Sequence, residues 1–417
     1  MNANVDMLNL PDRPTASRHA MIVLQGRRAI LALAATQIAG WGSTYFLPAM
    51  LGAQMARDLG MSVSFAFAGV TIMLVVGAFV GPVYGRWADR HGPRALLMAG
   101  SSLIALALVG LGLSTGPIGY AACWMILGLA MPMALTPIPF VAAAWLIPGS
   151  ARRAVGAMTL LGGGTTVVFL PLMAWLEPQI GWRTICFLFA ASQMLLCLPL
   201  HAMIAPQPPS ADGVRDTPAA SSGIRAPAAR RAAFWAMALS FSCIGFVTWG
   251  LPLQLVAIGS TYGLPLSLAV AVGAVLGPAQ MASRLLDILF GLRFPILKIG
   301  LFSQALIAAS CALPWLLGGS FAMLVATVVG FGLGAGANTV VRIIAPLVVF
   351  GREGYASLMG RMNLPLNLVF ATAPFVLAAS LEAGGPAAPL LLCAALSLLS
   401  FVGLSIVKRV ADGQAVQ

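Results

Sequence analysis

Twelve long apolar runs leave this chain one class of fold. They lie at about 29–51, 65–86, 95–114, 117–144, 153–176, 183–204, 232–257, 265–291, 298–317, 320–348, 356–381 and 387–408. Hydrocarbon offers no hydrogen bonds, so a run that crosses it must satisfy its own backbone, as a helix does. A spanning helix takes roughly 20 residues, so twelve need about 240. With 60% of its 417 residues hydrophobic, the chain supplies about 250, and only 8% are charged. Such a composition excludes a soluble globular protein. The fold expected is an all-α membrane protein of twelve transmembrane helices in two pseudo-symmetric six-helix halves.

The net charge of +12 would also fit a nucleic-acid partner, but the placement of the charges argues for a lipid bilayer and no nucleic acid. With the N-terminus placed inside, only Arg57 and Arg183 of the 23 lysines and arginines fall on the outer side. Cytoplasmic loops retain basic residues in this way. The expected location is a bacterial-type inner membrane with both termini cytoplasmic. Residues 1–28 read as a polar cytoplasmic tail and lack the layout of a cleaved signal peptide. Residues 29–204 form the first half and 232–408 the second. Between them, 205–231 is rich in Pro, Ala, Ser and Arg and reads as a flexible cytoplasmic linker. Residues 409–417 form a short C-terminal tail. A weak internal repeat supports two halves: Gly77–Pro82 (GAFVGP) matches Gly273–Pro278 (GAVLGP), and Thr44–Pro48 (TYFLP) resembles Thr248–Pro252 (TWGLP).

The densest charge cluster is Gly85–Arg94, GRWADRHGPR, between the second and third runs. Its pattern, Gly-x-x-x-Asp-Arg-x-Gly-x-Arg, resembles the loop between the second and third helices of the major facilitator superfamily of transporters. The Gly181-Trp182-Arg183 triplet before the sixth run is similar to that superfamily as well. The resemblance implies alternating access between two halves, with Gly85, Asp89, Arg90, Gly92 and Arg94 as gating residues. Asp89 is expected against the N-terminal end of the eleventh helix, where the helix dipole favours an anion.

Polar residues inside the runs mark a solute path, because lipid penalises them elsewhere. Gln37, Trp41 and Tyr45 recur every fourth residue and share one face. In the eighth run Gly273, Gly277, Gln280, Arg284 and Asp287, at spacings of 4, 3, 4 and 3, also share one face. An arginine inside a span costs roughly 3 kcal/mol unless paired or hydrated, and its planar fork suits a carboxylate. Arg284 therefore reads either as a substrate ligand or as a partner of Asp287. The chain also resembles the monocarboxylate porter branch and its bacterial oxalate/formate-type relatives, and the resemblance implies a substrate-binding role for Arg284. Gln280 stands where animal members of that branch carry an aspartate, and the first run lacks their lysine. Asp287 is then the leading coupling residue. Asn338, on a Gly330–Gly334–Asn338–Arg342 ladder, and Asn363 and Asn367 are further candidates for the cavity. Arg342 either lines the cavity with the rest of that ladder or snorkels to the headgroups.

Enzyme signatures are missing: no H-E-x-x-H, P-loop or G-x-S-x-G occurs, and His19, His91 and His201 all fall outside the expected membrane core. The six cysteines show no C-x-x-C spacing, so neither a metal site nor a cofactor is expected. The function expected is secondary transport by a monomer, with a small organic anion such as a monocarboxylate as substrate and proton coupling as an open extension. Export of an amphipathic or toxic compound is the alternative, although the fifth run lacks the glycine-proline motif of proton/drug antiporters. A non-transporting sensor on the same fold is the alternative from another class. A topology reporter fused within 205–231 should report a cytoplasmic position and one near Ser260 a periplasmic one; a periplasmic signal from the linker would remove the two-half arrangement.

Overall fold

The computed structural model describes residues 16–146, 151–204, 224 and 226–414, so most of both the N-terminal tail and the central linker lies outside the described residues. The described chain is almost wholly helical, and eleven of its helices are long and apolar enough to cross a membrane. The first span is Ala16–Gly42 continued, after a turn at Ser43–Phe46, by Leu47–Asp58. The second is Val63–His91 and the third Arg94–Leu113. The fourth joins Pro117–Ala134 to Ile138–Leu146. The fifth breaks at Gly163 and Gly164: it is Ala151–Gly162 and the first part of Thr165–Ser192. The left-handed Gly181, at φ 71°, turns that helix into the sixth span, which ends through a π-helical turn at Gln193–Cys197 and Leu198–Ala202. The seventh to twelfth are Pro227–Thr261, Leu266–Ala274 with Leu276–Phe290, Ile296–Leu317, Phe321–Phe350, Tyr355–Gly384 and Ala387–Gln414.

The packing repeats between halves. The second span packs on the fourth as the eighth does on the tenth, the third on the sixth as the ninth on the twelfth, and the first on the fifth as the seventh on the eleventh. Polar side chains in the interior tie helices within a half. Ser240 and Ser400 join the seventh and twelfth spans at 3.0 Å, and Gln304 of the ninth donates to Ser240 at 3.2 Å. His201 lies inside the first half rather than outside the core as its position near the end of a run implied. Its Nδ1 is 2.8 Å from the Ser101 hydroxyl and its Nε2 3.0 Å from that of Thr36. The Thr36 hydrogen goes to the Leu33 carbonyl, so Thr36 accepts from Nε2–H and Ser101 serves Nδ1. Both nitrogens of a neutral imidazole are thereby satisfied, and the histidine is a clamp between the first, third and sixth spans.

The halves meet mainly at the end carrying the Gly85–Arg94 stretch, called the basic end below. There the second span crosses the eleventh, and the symmetry-related pair, the fifth and eighth, cross in the same way. Glycines set the distance. A β-carbon on Gly360 would stand 2.5 Å from the Gly81 carbonyl, and one on Gly85 would run into the Ala356 carbonyl. Overpacking of this kind costs about 1–3 kcal/mol, and each 1.4 kcal/mol is roughly tenfold in a population. Gly85→Ala should therefore prise the two helices apart. All six native cysteines are buried, so a cysteine introduced at Ser357 should react with a soluble maleimide about tenfold faster in the Gly85→Ala background, and an equal rate would show that the crossing tolerates the methyl group.

Candidate functional site

Asp89 occupies the position expected for it. Its carboxylate accepts hydrogen bonds from the backbone N–H groups of Ala356 at 2.9 Å and Ser357 at 2.7 Å, in the first turn of the eleventh span. These donors have no partner within their helix, and the dipole adds to the attraction. Gly354, in the left-handed conformation at φ 64°, starts that helix. Gly92, at φ 82°, ends the second span. Arg90 is exposed and Arg94 half-buried, and neither makes a side-chain hydrogen bond among the described residues. Arg352 adds a bond across the halves, donating to the Ala144 carbonyl at 3.3 Å.

The fifth and eighth spans carry the counterpart. Asp287, buried, pairs with Arg152 at 2.5 Å, and Arg152 also donates to the Phe294 carbonyl at 2.9 Å. Its partner is therefore an arginine of the other half and not Arg284 on its own helix. Arg284 instead donates from Nη1 to the Thr159 carbonyl at 2.8 Å, over Gly163, where a β-carbon would meet that same nitrogen at 2.7 Å. The glycine at the break in the fifth span makes room for the guanidinium.

The first-span stripe is divided in use. Gln37 is buried, donates to the Ala134 carbonyl at 2.8 Å and accepts from the Trp41 indole at 3.0 Å, so its amide ties the first span to the fourth. Trp41 and Tyr45 go on to meet Trp249 of the seventh span, with ring centroids 5.8 and 5.1 Å away. Tyr45 and Trp249 are the equivalent residues of the internal repeat, so the two halves touch through a repeated position. Trp249 stacks in turn on Phe370 at 5.1 Å and 23°.

Beneath these rings lies a cavity of about 40 Å³ lined by Ile244, Gly245, Thr248, Trp249, Ala335, Asn338, Thr339 and Arg342. Arg342 does not snorkel. It lies eight residues short of Phe350, where the tenth span ends, or about 12 Å along the axis. Its guanidinium faces the cavity and sits 5.6 Å from the Phe370 ring, within cation–π range. Among the described residues no carboxylate pairs with it. Asn338, one turn away, donates to the Ser303 hydroxyl at 2.8 Å, and its Oδ1 has no partner. Arg284, Gln280, Asn363 and Asn367 are not among the lining residues. Gln280 packs by its backbone against Gly336, Asn363 donates to the Met359 carbonyl of its own helix, and Asn367 reaches Met131 of the fourth span at 4.0 Å.

The bundle is thus two repeated halves that cross chiefly through symmetry-related helices, with a charged cavity beside their junction. A family model described as Major Facilitator Superfamily matches residues 32–302, well over half of the sequence. The chain belongs to the Major Facilitator Superfamily. The crystal structure of the human organic anion transporter MFSD10 (TETRAN) superposes with a TM-score of 0.70 at 16% identity, over 91% of this chain and 99% of that one. At that identity the likeness shows the fold alone. No protein with a curated description matches the sequence. The superfamily places the chain among multi-pass membrane transporters rather than enzymes.

The pairing of Asp287 has a direct test. In a double-mutant cycle read by denaturation in detergent, Arg152→Ala and Asp287→Ala should show a coupling of about 1–3 kcal/mol. Arg284→Ala and Asp287→Ala should add within about 0.5 kcal/mol. Strong coupling in the second pair and none in the first would return Asp287 to Arg284.

Proposed function

We propose that the protein is a secondary active transporter of a small organic anion, a monocarboxylate in the simplest case, working by alternating access as a monomer. The observation that carries this reading is the Arg342 guanidinium, a fixed positive charge on the wall of the cavity with no carboxylate of the described chain beside it. A lone arginine in a membrane interior is costly, and a substrate carboxylate relieves the cost through two parallel charge-assisted hydrogen bonds. The cavity is far smaller than the roughly 300–1,000 Å³ of drug-sized sites, which weighs against bulky amphipathic cargo. A structurally similar protein is itself described as an organic anion transporter.

In this reading the basic end faces the cytoplasm of a bacterial-type cell, both termini and the 205–231 linker lie on that side, and the conformation is closed toward the cytoplasm. Asp89 of the second span against the eleventh, and Asp287 with Arg152, are the two gates. Arg284 serves the second gate through Thr159. Asp287 is the coupling candidate, since protonation would weaken its hold on Arg152.

Uptake of labelled short monocarboxylates into proteoliposomes tests the assignment. Arg342→Ala should weaken binding about thirtyfold or more, the effect of roughly 2 kcal/mol or more for a lost desolvated charge pair. Arg342→Lys, which keeps the charge and loses the fork, should recover part of it. Arg284→Ala should leave affinity unchanged. Full affinity in stable Arg342→Ala protein, with loss in Arg284→Ala, would move the anion site to the eighth span.

A further inference from the structure

We infer that the outer surface shared by the seventh and eleventh spans holds one anionic phospholipid, with its phosphate between Arg361 and Arg231. Arg361 lies six residues past Tyr355, about 9 Å along the eleventh span. Phe370, which stacks on Trp249 beside the cavity, follows nine residues later. Nine residues are two and a half turns, so Arg361 occupies the face opposite the cavity. Thr372 and Phe375 return to the Arg361 face after about three and four turns, and both are exposed. The Thr372 hydroxyl donates to the Val369 carbonyl of its own helix, as a hydroxyl facing hydrocarbon must. That face is therefore turned to the bilayer, and Arg361 is the cation at its basic end.

An arginine that only snorkelled would run along its own helix to water. The Arg361 guanidinium instead reaches sideways, to 5.8 Å from the Phe234 ring of the seventh span. Arg231 stands three residues before Phe234, so the two adjoin on one helix face with β-carbons about 5–6 Å apart. Both arginines are exposed, and among the described residues no carboxylate pairs with either. Arg230 differs, because it donates to the carbonyls of Ile224 at 3.4 Å and Phe350 at 3.3 Å. Two unpaired guanidiniums beside one ring repel each other. A phosphodiester has one negative charge and two unesterified oxygens, so it can give one charge-assisted hydrogen bond to each. Toward the bilayer interior the surface changes in the order that a lipid does. Arg231, Trp235 and Leu239 recur every fourth residue and are all exposed. They offer a cation to the headgroup, an indole to the interface and an aliphatic side chain to the acyl chain. A soluble phosphate would use the arginines and leave Trp235 and Leu239 without a partner, so the occupant is a lipid.

Native mass spectrometry of the purified full chain tests the site, with dioleoyl phosphatidylglycerol and dioleoyl phosphatidylethanolamine titrated separately. The first phosphatidylglycerol should bind about tenfold tighter or more than the first phosphatidylethanolamine. An arginine near an anionic surface is worth about fivefold. Arg361→Gln and Arg231→Gln should each weaken the first phosphatidylglycerol by about that factor, and the double variant by about thirtyfold. Arg293→Gln removes an exposed arginine over Phe290, after the eighth span, and should leave the affinity unchanged. Glycerol 1-phosphate at the same concentration should not displace the lipid. Equal binding of the two lipids by the parent, or full phosphatidylglycerol affinity in the folded double variant, overturns the site. An equal loss in Arg293→Gln and the double variant shows an effect of net charge alone and overturns it too. Displacement by glycerol 1-phosphate makes it a soluble-phosphate site and overturns the lipid. If the double variant does not fold, Arg361→Lys, which keeps the charge and loses the fork, should weaken phosphatidylglycerol severalfold; affinity equal to the parent's overturns the assignment.

Discussion

Hydrocarbon supplies no partner for a polar atom, and this governs what each polar side chain in the bundle can be doing. Many hydroxyls bond back to a carbonyl of their own helix, and a second set ties one helix to another of the same half. Gln37 reaches the Ala134 carbonyl, Gln193 the Ser43 hydroxyl, and His201 both Ser101 and Thr36. Such bonds make each half a unit that can move as one body. Against that background an arginine facing a cavity without a counter-charge stands apart, because the same constraint that ties the others makes its position expensive. In an aqueous cleft an unpaired arginine would carry little information. Here it points to a ligand.

The contacts between the halves are built differently from those within them. At the basic end each half offers one aspartate to the start of a helix in the other. Asp89 of the second span takes backbone N–H groups of the eleventh, and Asp287 of the eighth takes Arg152, the second residue of the fifth. The two spans bearing the aspartates are related by the internal repeat, and so are the two that receive them. The near-symmetry gives two such contacts, which in the proposed cycle act as latches. Ionic and backbone contacts suit a latch better than apolar interdigitation, because water can replace them when the halves part, whereas a packed core would expose apolar surface. Close approach of glycine backbones at Gly81 and Gly360 provides the seam without large side chains to unpack.

How much of this was legible in the sequence varied with the range of the interaction. The spans, and the meeting of Asp89 with the eleventh helix, were readable because hydropathy is local and the loop motif carries its own resemblance. The break of the fifth span was signalled by three consecutive glycines, although its consequence, room for Arg284, was not. The pairing of Asp287 with Arg152 joins residues 135 positions apart, and no local spacing encodes it. Arg342 was left between the cavity and the headgroups, and there is a geometric reason. Each step of four residues on an α-helix turns the face by about 40°, so a ladder of three steps drifts by about 120°. Gly330 and Gly334 therefore face Ser310 and Ile307 of the ninth span, while Arg342 at the far end of the ladder faces the seventh. The signal that could have found it was Asn338, an amide one turn before an arginine deep inside an apolar run.

A fixed cation at this place also bears on how transport and gating are linked in the proposed cycle. Passage between conformations requires the cavity to be closed on both sides for a moment, and closure strips water from whatever the wall carries. With the site empty, Arg342 would lose its hydration with only the Phe370 ring as compensation, a cation–π contact worth on the order of 2 kcal/mol when desolvated. With a carboxylate in place, the pair is neutral and the loss of water strengthens its hydrogen bonds instead of opposing closure. The difference raises the barrier for the empty carrier relative to the loaded one. A ligand shifts a conformational equilibrium only through its differential interaction with the states. In the proposed cycle one unpaired arginine beside the junction of the halves would supply that differential, so the group that selects the anion would also be the group that lets the loaded protein close.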